Sequence, residues 1–277
     1  MSLGPFDLTG GPFLQLYVIL LVLTIVAGMA IPRWLRPEGR APRRIDTDHF
    51  AFLAGGGARL AEAVTARLLA TRQLVMDGKT FLAGSLAAAT PAERSVLALP
   101  QPSNWSAVAR AIGSHSGAIR ERLVSDGLLM DSWTALQLRF WQTAPYALLL
   151  AFGWTKLQIG EARGRPVGYL TMLLVITAVF ALIRFVLLDR RTRSGQAALA
   201  EARSRSERLR RAPAEDEAGL AVALFGTAVL VGSAWGDFHR MRSESSSSGG
   251  DSGSGSGGDG GSGGGGCGGG GCGGCGS

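Results

Sequence analysis

Between Ala144 and Leu188 the chain carries two apolar runs separated only by the polar stretch EARGRPVG, residues 161–168. Each run is long enough, or nearly so, to cross a hydrocarbon core of roughly 30 Å, and a lipid-embedded backbone must satisfy its own hydrogen bonds. A connection this short allows only a tight reversal. The pattern predicts a transmembrane helical hairpin, with spans at 144–160 and 169–188 and an outer turn at 161–168. Every other segment has to be placed relative to it.

Upstream, Phe13 to Ile31 is free of charge, and as a helix at about 1.5 Å per residue it also matches a bilayer core. Residues 1–12 carry Asp7 but no Lys or Arg. A secretory signal peptide needs a basic start, so 13–31 reads as a retained transmembrane helix. The linker 32–44 then brings Arg33, Arg36, Arg40, Arg43 and Arg44. By the positive-inside rule the N-terminus lies outside and the chain from residue 33 onward in the cytoplasm. Arg190, Arg191 and Arg193, set against Arg163 and Arg165 in the outer turn, give the same orientation. Trp34, Trp141, Tyr146 and Tyr169 stand where interfacial aromatic belts belong. Lys156 and Arg184 lie close enough to span ends to snorkel.

Residues 45–140 change character: apolar runs are short and charges frequent. Leu60, Ala63, Val64 and Leu68 form an apolar stripe at helical spacing, as expected of a soluble domain. Two parts resemble each other, 58–82 and 113–137. AVTARLLATRQLVMDG from Ala63 aligns with AIRERLVSDGLLMDSW from Ala118, pairing Arg67 with Arg122, Leu68 with Leu123 and Leu74 with Leu129. Each copy reads as an amphipathic helix, a short extended piece and a turn, the order of a recognition helix and its wing. The expectation is a tandem pair of degenerate winged-helix-like units. Between them, TPAE at Thr90 supplies an N-cap, a proline at the first helical position and a glutamate two residues later. Ser103 or Asn104 caps the next helix, and Asp46 and Asp48 take capping roles at a helix entry. The acceptor pattern Asn104-Trp-Ser is a chance match in a cytoplasmic segment.

Residues 189–218 read as an Arg-rich cytoplasmic helix along the inner membrane surface, where anionic lipid or simple topology explains the charge better than nucleic acid. Residues 219–236 are uncharged but weakly apolar, and two readings stay open: a fourth span, or a helix packed on protein. The tail, 243–277, is nearly all Gly and Ser and lacks the apolar side chains to build a core, so it is expected to be disordered. It holds the only thiols, Cys267, Cys272 and Cys275. Three thiolates at that spacing suit a soft metal ion, but no His lies in the tail to complete a zinc site, His239 being the nearest. Modification by an enzyme and thiol cross-linking are equal alternatives, beside a tail with no dedicated chemistry.

The net charge of +7 is compatible with lipid, nucleic acid or topology. There is no phosphate-binding glycine loop, no HExxH and no GxSxG, and His49, His115 and His239 are isolated. The spans hold no carboxylate and show no broken-helix repeat, which disfavours a transporter. The chain therefore reads as mainly α, an integral membrane protein that is not an enzyme, with no resident cofactor. Its expected partners are the bilayer and a modifying enzyme or protein that takes the tail. Two functions remain: a structural or interaction protein presenting the tail, or a membrane-tethered regulatory module whose winged-helix-like domain binds protein or nucleic acid. The order of a leading helix, a cytoplasmic domain, a hairpin turning at GEARGRPVG, the piece AVALFGTAVL and a Gly/Cys-rich end resembles a family of uncharacterised bacterial membrane proteins. That family is described as a conserved domain followed by an extreme low-complexity tail. The resemblance implies a membrane protein whose tail is a target of modification or export, and it assigns no catalytic residue.

Overall fold

The computed structural model describes residues 10–40, 45–85, 88–162, 168–186, 189–211 and 213–247. The expectations for Arg43, Arg44, Arg163, Arg165, the side chain of Arg33 and the three cysteines fall outside those residues. The chain is mainly helical with few strands, and it forms a three-helix bundle and a mixed body.

The bundle comprises α1 (Gly10–Leu35), α6 (Ser132–Ala162) and α7 (Gly168–Val186). By length and composition, Gly11–Ile31 and Gly168–Val186 suffice to cross a membrane. The first half of the expected hairpin is not among these, because Pro145, Gly153, Thr155, Lys156 and Gln158 dilute its apolar run. It lies instead within a longer helix that starts at Ser132. Phe13, Tyr17 and Leu21 of α1 pack on Leu149 and Leu157 of α6 and on Leu170 and Leu174 of α7. Small residues permit the approach. A Cβ on Gly153 would lie 2.8 Å from both Leu174 and Tyr17, and one on Gly28 would lie 2.9 Å from Tyr146. Tyr146 is thus buried between helices instead of sitting in an interfacial belt. Trp34, Trp141 and Tyr169 are exposed, as are Ile19, Leu23, Leu148, Met172, Val175 and Leu182 along the outer faces.

The body begins with α2 (Thr47–Ala70), which bends where Gly56 takes φ +64°. Next come the hairpin β1 (Leu74–Asp77) and β2 (Thr80–Ala83), α3 (Pro91–Leu97), the short β3 (Ser103–Asn104), α4 (Trp105–Gly113) and α5 (Ser116–Ser125). The sheet order is β1-β2-β3, all antiparallel, with Leu74 opposite Ala83 and Phe81 opposite Ser103. Thr90 and Glu93 form the reciprocal cap of α3, and Asn104 caps α4. After the bundle the chain returns as α8 (Arg193–Arg205), α9 (Ala218–Phe225) and α10 (Gly236–Ser247).

Residues 219–236 are not one helix. α9 has eight residues, about 12 Å at 1.5 Å per residue, and stops at Gly226 with φ +93°. That is too short to cross a bilayer. It packs along α2, where Gly219 allows close approach: its Cβ would lie 2.9 Å from that of Arg67. Val222, Ala223 and Leu230 join Leu60, Val64, Leu68, Phe81, Val96, Ile112 and Phe238 in the main core. Likewise the 189–218 stretch is not one surface helix: α8 buries Leu199 against Leu53, Leu123, Leu128 and Leu224, and short 3-10 turns come after it. The first residues of the expected tail, Ser243 to Ser247, belong to α10.

The two related stretches end their helices alike. At the end of α2, Gln73 N donates to Leu68 O and Arg72 N to Leu69 O; at the end of α5, Leu128 N donates to Leu123 O and Gly127 N to Val124 O. Arg72 and Gly127 both take positive φ, +55° and +73°. This is the Schellman pattern at matching positions.

Candidate functional site at the foot of the helical bundle

The chain passes between bundle and body three times, and the three passages bind one another. Residues 128–130 lead into α6, and 190–192 return from α7. Met130 N donates to Arg190 O at 2.8 Å and Thr192 N to Leu128 O at 3.1 Å, an antiparallel bridge that sets Leu129 opposite Arg191. The linker after α1 lies alongside: Arg193 N donates to Pro37 O and Ser194 N to Glu38 O. Gly39 takes φ +76°, and any Cβ there would strike Ser194 Oγ at 2.1 Å.

Thr192 ties the passages together. Its side chain is buried, it caps α8 by accepting from Gly195 N, and its hydroxyl donates to Gly127 O at 2.7 Å. Asp189 supports the same turn, accepting from Arg191 N at 3.0 Å and Gln196 Nε2 at 2.7 Å, with Arg36 of the linker at 3.7 Å. Helix ends that a flexible tether would leave independent are held here by backbone hydrogen bonds.

Next to this crossing, Arg59, Arg191 and Arg203 converge from three elements. Arg191 Nη2 donates to Ala54 O at 2.6 Å, the carbonyl just before the glycine bend of α2. Arg203 Nε donates to Leu224 O at 3.0 Å, at the C-terminal end of α9. The Arg59 guanidinium lies over Gly226, where a Cβ would meet Nη1 at 2.2 Å. Burial, and then the charges of Arg191 and Arg59, push the Arg203 guanidinium below its ordinary pKa.

A second ionic centre lies deeper in the body. Arg67 reaches Glu93 Oε1 at 2.5 Å, Asp48 Oδ1 at 2.9 Å and Thr90 Oγ1 at 3.4 Å. Burial alone would lower its pKa, but Asp48 and Glu93 outweigh that and raise it. Asp48 therefore serves Arg67 instead of capping α2, and Asp46 occupies the N-cap position without a side-chain cap bond. At the far end of α2, a groove of about 550 Å³ runs between the β1–β2 hairpin and α10, with Leu74, Met76, Trp235, Phe238 and Met241 along it and Arg72 and Lys79 among its polar residues.

Among the described residues no group of three His, Cys, Asp or Glu is placed to hold a metal. His115 pairs with Ser95 and His239 with Thr227, well apart along the chain. Cys267, Cys272 and Cys275, the residues singled out for metal binding, modification or cross-linking, are not among the described residues. The arginine trio escaped sequence reading because its members come from positions 59, 191 and 203 and no local pattern joins them. The chain matches no protein-family model, no curated protein and no solved structure.

Proposed function

We propose that this is a multi-pass membrane protein whose body, a pair of winged-helix-like units on the cytoplasmic side, anchors and presents the Gly/Cys tail to a modifying or binding partner. The observation that carries the reading is the polarity of the bundle. Tyr17 faces Thr177, Gly153 meets Tyr17 and Leu174, and Gly28 meets Tyr146, so α1 runs parallel to α7 and antiparallel to α6. The start of α1, the end of α6 and the start of α7 therefore share one end, and the helix ends that lead to the body share the other. A bilayer around the apolar faces leaves the whole body on one side. Arg36, Arg40, Arg190, Arg191 and Arg193 cluster at that body end, in accord with a cytoplasmic body.

The short α9 buried against α2 supports keeping the tail on the body's side of the membrane. α10 packs on the body as well, Arg242 donating to Glu62 of α2 and Phe238 entering the main core. The test is labelling of Cys267, Cys272 and Cys275 with a membrane-impermeant thiol reagent. They are the only thiols in the chain. The expected result is labelling after lysis and none in intact cells; labelling in intact cells overturns the orientation. A lysed and reduced sample that still refuses label points to modified sulfurs, which mass spectrometry of the tail then identifies.

The regulatory alternative is favoured by one observation. Val75 on β1 of the first helix-and-hairpin unit is half exposed, whereas Arg120 of α5 is tied to Ser132 at the start of α6. A partner of the first unit is thus more accessible than one of the second. Salt-dependent binding of DNA would redirect the reading to nucleic acid.

A further inference from the structure

We propose that Arg59, Arg191 and Arg203 form a binding site for a phosphate group at the foot of the bundle. This inference goes beyond the tail-presenting role and stands whichever way the bundle is oriented. The ordinary explanation for an arginine on a terminal carbonyl is helix capping, since cations are stabilising at helix C-termini. Capping accounts for Arg191 at Ala54 O and for Arg203 at Leu224 O. Arg59 adds a third guanidinium at that end of α9, beside Gly226, and its ion-pair partner is Glu62 of its own helix, so one helix end gathers more cations than a single cap needs.

The local charge balance points the same way. Among the described residues, Arg59 has Glu62 at 3.3 Å, but Glu62 is shared with Arg242 at 3.0 Å. Arg191 has Asp189 at 3.7 Å, shared with Arg36 at the same distance. Arg203 has no carboxylate within ion-pair distance among the described residues. Two carboxylates thus serve four guanidiniums and Arg203 has none, so positive charge is in surplus where these side chains from different elements meet. A planar guanidinium fork suits two oxygens of a phosphate at once, and several forks together make a phosphate site of the kind arginine is favoured for.

Glycine leaves room for the arrangement. Gly226 lies beneath Arg59 with φ +93°, and Gly55 gives Arg59 space on the α2 side, a Cβ there falling 3.3 Å from its Nε. Arg203 is exposed, and Arg59 and Arg191 are partly buried, so the cluster is reached from solvent through Arg203. Arg191 lies five positions beyond the last residue of α7, so the site is within about 18 Å of chain from the bundle. That distance admits two sources of the same chemistry: the phosphate of an anionic lipid reaching in from the membrane face, or a soluble phosphate from the aqueous side.

The experiment is thermal unfolding of the full chain in neutral detergent under three conditions at matched ionic strength. These are chloride alone, inorganic phosphate, and detergent doped with a short-chain phosphatidic acid, with the equivalent phosphatidylcholine as control. At about tenfold excess over its dissociation constant, a ligand at this site raises the midpoint by about 3–6 °C. A rise with inorganic phosphate identifies a soluble ligand, and a rise with phosphatidic acid alone identifies a headgroup. Either rise has to vanish in Arg203→Gln and in Arg59→Gln. In chloride alone Arg203→Gln gives up its bond to Leu224 O and Arg59→Gln its ion pair with Glu62, so the rise in each variant is read against that variant's own chloride midpoint.

Two results overturn the proposal: no rise under any condition, which leaves the arginines as helix caps only, and a rise that persists in either variant.

Discussion

The two helix-and-strand units of the body share a cap but continue differently beyond it. After α2 the chain makes a tight hairpin: Leu74 pairs with Ala83, and Gly78 turns it with φ +58°. After α5 the equivalent residue, Leu129, pairs with Arg191, and between the two arms of that ladder stand residues 131–189, the helices α6 and α7 with their connection. The second unit is a hairpin whose turn has been replaced by a pair of long apolar helices. Both ladders then lead toward a helix capped by a threonine, Thr90 for α3 and Thr192 for α8. A β ladder holds its register through backbone bonds and is indifferent to how far its connection travels, which is how one motif serves a solvent-exposed turn and a bundle alike.

The comparison can be broken most forcefully by restoring the missing turn. Deleting residues 1–35 and joining Met130 to Arg190 through Asn-Gly should move the protein from the membrane fraction to the soluble fraction with its far-UV helical signal retained, since Asn-Gly is the preferred two-residue hairpin turn. An unfolded, pelleted product would show that the two ladders are not equivalent.

A smaller effect separates two arginines that occupy matching positions. Arg67 lies in the Asp48–Glu93–Thr90 centre, whereas Arg122 is exposed. Arg67→Met strands two acids, Glu93 among the most buried in the body, and should cost about 3–5 kcal/mol in denaturant unfolding of the full chain in detergent. Arg122→Met should stay within about 0.5 kcal/mol of the parent. Equal losses would mean that the units carry their helices in the same way after all.

The smallest effect tests the caps themselves. Gly127→Ala places a Cβ 3.0 Å from Arg40 N at positive φ and should cost about 1–2 kcal/mol. Arg72→Gly removes a side chain from the same conformation and should be stabilising by up to about 1 kcal/mol. The same unfolding assay reads both signs; a loss for Arg72→Gly would mean that the Arg72 side chain, and not the backbone turn, holds the end of α2.

Signals confined to a few neighbouring residues are readable in the sequence. The uncharged run from Phe13 to Ile31 lies in α1, TPAE makes the cap of α3, and Asn104 begins α4. Features set by distant partners are not. Residues 219–236 are apolar because α9 is covered by α2, yet burial in protein and burial in lipid select the same side chains. Leu199 of α8 is apolar for the same reason, but the arginines around it dominate the local pattern. Tyr146 reads as interfacial by residue type, whereas the glycine that receives it is Gly28, on another helix. The arginine trio needs the fold to exist at all.

The split of the body also imposes an order on synthesis. The apolar stripe of α2 is complete once Ala70 has been made, but the helix that covers it starts at Ala218. At about 5–20 residues per second, the stripe waits roughly 7–30 s for its partner, longer than helices and hairpins need to form. Through that interval the bundle helices emerge, and by the proposed topology enter the bilayer, before the core below them can close. The nascent protein is therefore tethered while still open, and the last helix of the described residues, α10, completes the body only after the bundle helices have been made.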